Sequence, residues 1–213
     1  MILNDLGLKY GTDKSTINHD YLNRVYGKYL ERFRDEPIVL IEIGVGDGGS
    51  LKMWNDYFTR ARVFGIDIDP QCAKSDTVFI GNQADERFLE NVLSQTDQPT
   101  VVIDDGSHVA QEQIASFGYL MPRIKPGGLY FVEDTHTFYE KSVVRASTNP
   151  PKPMEAFNFF TGLAADIDMR GRMWSGDYER NLIDPDRPPP IPPFAQYISA
   201  IHIHQSIWVF ERR

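Results

Sequence analysis

Ile38-Val-Leu-Ile-Glu-Ile43 runs directly into Gly44-Val-Gly46-Asp-Gly48-Gly49, and the reading of these twelve residues decides the fold. The first six are apolar apart from Glu42 and mostly β-branched, the pattern of a strand buried on both faces. The glycines end it, and Leu51, Trp54 and Phe58 then recur at helical spacing. In a strand, glycine turn and helix of this kind, Gly44 and Gly46 let backbone approach a ligand with no Cβ in the way. The helix N-terminus offers free N–H groups to the same ligand. Asp67 closes the next strand, 21 residues after Gly46. A carboxylate there can accept both hydroxyls of a ribose. A lone glycine pattern is weak, but strand, helix and acidic follower in register make it strong. The alternative is a tight turn with no ligand.

Outward from this unit the alternation continues. Before it, Tyr21, Leu22, Val25, Tyr26, Tyr29, Leu30 and Phe33 form one apolar stripe, so residues 18–34 read as a helix. After it, strands are expected at 62–66, 77–80, 101–103 and 129–132, with helices at 85–93 and 109–121 between them. Strands separated by helices predict a parallel, doubly wound α/β sheet. Residues 197–202 and 206–210 read instead as two strands joined by a short turn, an antiparallel hairpin on the sheet edge. Between 138 and 195 lies an irregular insert holding nine of the fourteen prolines. Proline fixes φ and removes a donor, so regular sheet and a long helix are not expected there. One helix is expected inside it, at 154–169, and the insert as a whole reads as a lid or substrate wall. Trp174, Tyr178 and Phe194 could stack on a substrate ring or pack the insert down. The expected organisation is one domain over 1–213, with an N-terminal helical segment at 1–36 and the insert.

Composition bounds the function. The 213 residues carry 22 Lys+Arg against 30 Asp+Glu, a net charge of −8. That argues against a nucleic-acid partner, which needs a basic footprint. No stretch reaches 18 apolar residues, so no membrane-spanning helix is expected, and the first residues lack a signal-peptide core. The single cysteine, Cys72, suits a reducing compartment and has no catalytic role assigned. The expectation is a cytoplasmic enzyme.

The carboxyl ends of two adjacent strands carry Asp104-Asp105-Gly-Ser-His108 and Glu133-Asp134-Thr-His136. Ligands of open parallel sheets bind beyond these ends. Four carboxylates crowded there repel one another, so a cation should neutralise them. Oxygen ligation favours a hard ion, Mg²⁺ before others. Alternatively some of these side chains cap helices or pair with Lys or Arg, and Asp104 could cap the following helix. Lys14 and His19 read as capping or surface residues of the first helix, or as groups closing the site. His202 and His204 read as ordinary strand residues.

About 37 residues precede the glycine turn, and the acidic Glu42 stands just before its first glycine, where it suits a cationic ligand better than a pyrophosphate. This combination resembles the class I S-adenosylmethionine (SAM) methyltransferases, whose loop is E/D-x-G-x-G. The resemblance implies a seven-stranded sheet ending in an antiparallel hairpin, and an adenine contact after the third strand. The matching stretch here is Gly81-Asn82-Gln83-Ala84-Asp85. The cofactor set is thus Glu42, Gly44, Gly46, Asp67, Asn82, Gln83 and Asp104. The segments VVIDDGSH and LYFVEDTH, with Tyr10-Gly-Thr-Asp-Lys14, His19 and Tyr21, narrow it. They are similar to the metal-dependent sugar O-methyltransferases of the macrocin/mycinamicin type over about residues 8–137 and the closing hairpin. That similarity implies Asp105, Glu133 and Asp134 as Mg²⁺ ligands and His108 as the base, with His136 an assisting base or substrate contact. The acceptor implied is a sugar hydroxyl of a glycosylated natural product or a bacterial oligosaccharide. A catechol-type acceptor keeps the same chemistry. An NAD-dependent oxidoreductase, a non-catalytic partner subunit and a metal hydrolase are the readings from other classes. The insert and the hairpin edge are compatible with a homodimer.

Overall fold

The structure is a computed structural model that describes residues 3–139, 154–172, 194 and 196–213. Five parallel strands form first: β1 (Val39–Ile43), β2 (Arg62–Asp67), β3 (Val78–Ile80), β4 (Val101–Asp104) and β5 (Leu129–Glu133). β6 (Ile198–His204) and β7 (Ile207–Arg212) make the expected hairpin. The sheet order is β3-β2-β1-β4-β5-β7-β6, with β7 antiparallel to β5. β1 pairs with β2 on one side and β4 on the other, so the order reverses beside β1 and a crevice opens at its carboxyl end. The glycine turn, Asp67, Asp105, His108 and Asp134 sit on that rim.

The helices are α1 (Leu3–Tyr10), α2 (Gly27–Leu30), α3 (Gly49–Tyr57), α4 (Glu86–Thr96), α5 (Ala110–Leu120) and α6 (Glu155–Arg172). One apolar layer packs Tyr26, Tyr29, Trp54 and Phe131 between the sheet and the N-terminal helices. The other packs Phe117, Phe160, Trp208 and Phe210 between the sheet, α5 and α6. Every residue of β1, β4 and β5 is buried, as their unbroken apolar runs require.

Two N-terminal details differ from expectation. α1 lies ahead of the predicted helix, and residues 13–19 form turns rather than its first turn. The helix itself opens with a π-helical turn, Leu22–Tyr26, before α2. The apolar stripe at 21–33 is real, but it could not show a wider turn inside it. The helix expected at 154–169 is α6. Most of the proline-rich insert, with Trp174, Tyr178 and the lid expectation, lies outside the described residues. Phe194 packs against Phe117 and Phe159, which is a core role.

Candidate active site

A cavity of about 780 Å³ opens at the reversal of strand order. One end is walled by the glycine turn and Asp67, the other by Asp105, His108 and Asp134, and the N-terminal stretch Tyr10–Lys14 closes its side.

At the first end Gly44 has φ +88°, and a Cβ there would overlap the Asp105 carbonyl oxygen. Only glycine lets the turn lie on the loop after β4. The Val45 and Gly46 N–H groups donate to Asp67 Oδ2 at 2.8 and 3.2 Å, and Asp69 N donates to Oδ1 at 2.9 Å. Burial pushes the Asp67 carboxyl up, but the Asp69, Val45 and Gly46 donors outweigh it and hold it below its ordinary value. The turn and the acidic follower are therefore already joined before any ligand arrives.

Four of the residues expected to touch a cofactor, Glu42, Asn82, Gln83 and Asp104, do not line the cavity. Glu42 is fully buried, accepting from Ser50 Oγ at 2.7 Å and facing Lys14 Nζ at 3.5 Å. Asp104 accepts from Gln83 Nε2 at 3.1 Å, Ser116 Oγ at 2.7 Å and Tyr130 OH at 2.9 Å. Gln83 also accepts from Ser107 N at 2.9 Å. Asp104 and Gln83 thus form a buried network beneath the Asp105–His108 loop, and they fix that loop rather than meet a ligand. Burial raises the Asp104 carboxyl despite its donors. Asn82 is exposed at the end of β3, where its Oδ1 accepts from Ala84 N at 2.7 Å.

At the other end His108 Nε2 stands 3.9 Å from Asp105 Oδ1 and 3.8 Å from Asp134 Oδ2. One atom from each of these three residues lies within 4.8 Å of the others. These gaps are too long for hydrogen bonds. The three side chains thus converge on one opening with no direct bond among them, a donor set that a hard divalent ion could join. Tyr21 OH donates to Asp134 Oδ1 at 2.8 Å and stacks on His19, whose Nε2 is 4.0 Å from the same oxygen. Glu133 turns inward beside this group. Its Oε1 accepts from Tyr26 OH and lies 3.0 Å from Lys14 Nζ. Burial and the Asp105 charge push the Glu133 carboxyl well up against the pull of Lys14. His136 is exposed on the turn Thr135–Tyr139 and does not line the cavity.

Lys14 is the residue that sequence reasoning undervalued. It is 1 % exposed, bonds Asp105 Oδ2 and forms ion pairs with Glu133 and Glu42. Tyr21 and Tyr26, read as apolar stripe positions, are hydroxyl donors to the acidic rim. Their spacing showed the buried face and not which hydroxyl would find a carboxylate. His202 pairs with Glu211 at 3.0 Å and His204 with Tyr29 at 2.9 Å, away from this cavity.

The sheet order, the crevice beside β1 and the glycine turn with its acidic follower together define the class I methyltransferase fold. A solved structure titled "MycE Methyltransferase from the Mycinamycin Biosynthetic Pathway in Complex with Mg, SAH, and Mycinamycin VI" matches all of this chain with a TM-score of 0.81 and 26% identity. The chain's relatives are sugar O-methyltransferases of natural-product pathways. It is 38% identical over 144 residues to the 8-demethyl-8-alpha-L-rhamnosyl tetracenomycin-C 2'-O-methyltransferase of Streptomyces olivaceus. To the demethylmacrocin O-methyltransferase of Streptomyces fradiae it is 34% identical over 147 residues. These matches take in 63% and 64% of this chain but only 38% and 37% of those proteins, and 53% of the solved one. The chain therefore spans about half the length of the proteins it resembles, or less. No protein-family model matches it.

Proposed function

We propose that the chain is a SAM- and Mg²⁺-dependent O-methyltransferase acting on a sugar hydroxyl of a glycosylated natural product or oligosaccharide. The observation that carries this is the continuity of the cavity. One space runs from the glycine turn and Asp67 to Asp105, His108 and Asp134, so donor and acceptor ends share it. The Tyr10, Thr12, Asp13, Asp47 and Lys52 walls are polar, which supports a sugar over a flat phenol.

In this reading Asp67 accepts the ribose hydroxyls, and the Val45 and Gly46 amides that it now holds stay in register with it. Asn82 lies at the adenine side. Asp105, Glu133 and Asp134 would hold the Mg²⁺. When bound, the ion lowers the pKa of the acceptor hydroxyl and orients it. His108 Nε2 faces the same opening and takes the hydroxyl proton. The oxygen forms its bond to the methyl carbon as the carbon–sulfur bond breaks, and the thioether leaves neutral. The buried network of Asp104, Gln83 and Ser107 holds the loop that carries Asp105 and His108 in place for this alignment. His136 lies outside the cavity lining and has no step in this mechanism.

The domain reading, one unit over 1–213, belongs to the same proposal. So does a cytoplasmic location, supported by the single cysteine, and a homodimer, supported by the open edge of β6 with Ile203 exposed on it. Among the described residues no helix is long and apolar enough to cross a membrane.

Calorimetric titration with S-adenosylhomocysteine, with and without Mg²⁺ and beside an NAD⁺ control, tests the donor. Micromolar binding of the thioether and none of NAD⁺ is expected. His108→Ala should abolish turnover and leave that binding nearly intact. Binding of NAD⁺ alone overturns the reading of the glycine turn, and turnover by His108→Ala overturns the base.

A further inference from the structure

Lys14 is a lysine with almost no solvent contact in the middle of an acidic centre. Its ammonium touches three carboxylates from three strands: Glu42 on β1, Asp105 just after β4 and Glu133 on β5. Glu42 Oε1 has no hydrogen-bond donor and faces this ammonium at 3.5 Å. One cation among three anions leaves the centre short of positive charge, before Asp134 is counted.

The arrangement also divides Asp105 between two partners. Its Oδ2 is taken by Lys14, while its Oδ1 faces His108 and Asp134 across the opening. Glu133 is held back on the Lys14 side, with Tyr26 on the same oxygen. An ion entering the opening meets Asp105 Oδ1 and Asp134 freely. It gains Glu133 and the second Asp105 oxygen only by drawing them from the ammonium.

We propose that Lys14 is the built-in counter-cation of this centre, holding Asp105 and Glu133 in place without a metal and setting how weakly a divalent ion binds there. The proposal rests on the metal reading given under Proposed function. Its consequence is a site that stays folded when empty and releases its ion readily. Lys14 is a positioning residue, and it also ties the glycine-turn strand, through Glu42, to the two strands that carry the metal carboxylates.

The test uses Mn²⁺ as the probe, with free ion followed by electron paramagnetic resonance, on the wild-type chain and on Lys14→Met. Losing a unit positive charge next to a divalent ion, at an effective dielectric of about 20, should tighten Mn²⁺ by at least about tenfold. Thermal unfolding in chelator is the second readout. Lys14→Met should melt below wild type there, and adding Glu133→Gln should recover part of the loss, because one unpaired anion is removed. A lysine that only packs the core predicts the opposite on both counts: unchanged or weaker Mn²⁺ binding, and a further loss from Glu133→Gln. Either result overturns the proposal. A Lys14→Met chain that folds only with Mn²⁺ supports it, and one that stays unfolded at saturating Mn²⁺ overturns it. Absence of Mn²⁺ uptake by wild type overturns the metal reading instead, and the chelator melts then decide the counter-cation role alone.

Discussion

Gly44→Ala should damage stability and both ends of the cavity at once, and Gly46→Ala is its internal control. Both residues have positive φ, +88° and +50°. A side chain at either costs about 1–2 kcal/mol in backbone terms. The surroundings differ. A Cβ at Gly46 meets nothing within 4 Å, whereas at Gly44 it falls on the Asp105 carbonyl, closer than the 3.0 Å that Cβ atoms essentially never breach. The obstacle is backbone, so it cannot swing aside as a flexible side chain would. Forcing it apart adds about 1–3 kcal/mol of overpacking. Gly44→Ala should therefore cost about 2–5 kcal/mol, against about 1–2 for Gly46→Ala. For a chain of this size that corresponds to a fall in Tm of roughly 4–20 °C against about 2–8 °C. The displaced segment carries Asp105 and His108, so divalent-ion affinity should fall in Gly44→Ala and hold in Gly46→Ala. Thermal unfolding and a Mn²⁺ titration of both variants check this. Equal Tm values, or loss of ion binding in Gly46→Ala alone, would refute the claim that the two ends meet through this contact.

Tyr26→Phe removes the hydroxyl that donates to the buried Glu133 and should cost about 1.5–3 kcal/mol by chemical unfolding, the value of a bond to a charged acceptor. Phe160→Ala should cost about 3–5 kcal/mol in the same assay, since this ring is fully buried among Phe117, Phe138, Trp208 and Phe210 and anchors α6 on the sheet. Asp67 has a carboxyl held below its ordinary value, so its contribution to stability is complete above about pH 4 and is lost as pH falls through the folded value. Asp67→Asn should flatten the acid limb of the stability–pH curve, and calorimetry should show weaker S-adenosylhomocysteine binding at neutral pH. An unchanged acid limb would mean the Val45, Gly46 and Asp69 amides do not bind the charge.

The sheet was legible because its signals are local. Short apolar runs of three or four residues gave β1, β4 and β5, and the hairpin at the end followed from the change of pattern at 197–210. The cavity rim was legible for the same reason, since strand ends can be counted along the chain. What each acidic side chain does there was not. Asp104 and Asp105 are neighbours, yet strand alternation sends one into a buried network with Ser116 and Tyr130 and the other to the cavity. Glu42 looked like a ligand contact because of its place before the turn, but the β1 pleat buries it against Ser50. Lys14 was illegible because its three partners lie 28, 91 and 119 residues away in the chain, and no periodicity marks the turn that carries it.

The backbone itself argues that this rim was shaped for something other than stability. His108 and Asp134 both adopt positive φ, +57° and +52°. Neither is glycine or a hairpin-turn residue, and each such conformation costs on the order of 1–3 kcal/mol unless its surroundings hold it. The surroundings do hold it. Tyr21 grips Asp134 Oδ1, the Thr135 amide donates to the Ser206 carbonyl at 3.1 Å, and the Ser107 amide is fixed on Gln83 ahead of His108. Those restraints come from the N-terminal helix, the hairpin and the loop after β3, three parts of the chain with no reason of their own to meet at this point. Without the strain, His108 Nε2 would not face Asp105 and Asp134 across a gap of 3.8–3.9 Å, which is too wide for direct bonding and suited to a third party between them. Strain held from three directions, around side chains that do not bond one another, is what a site kept ready for a ligand requires.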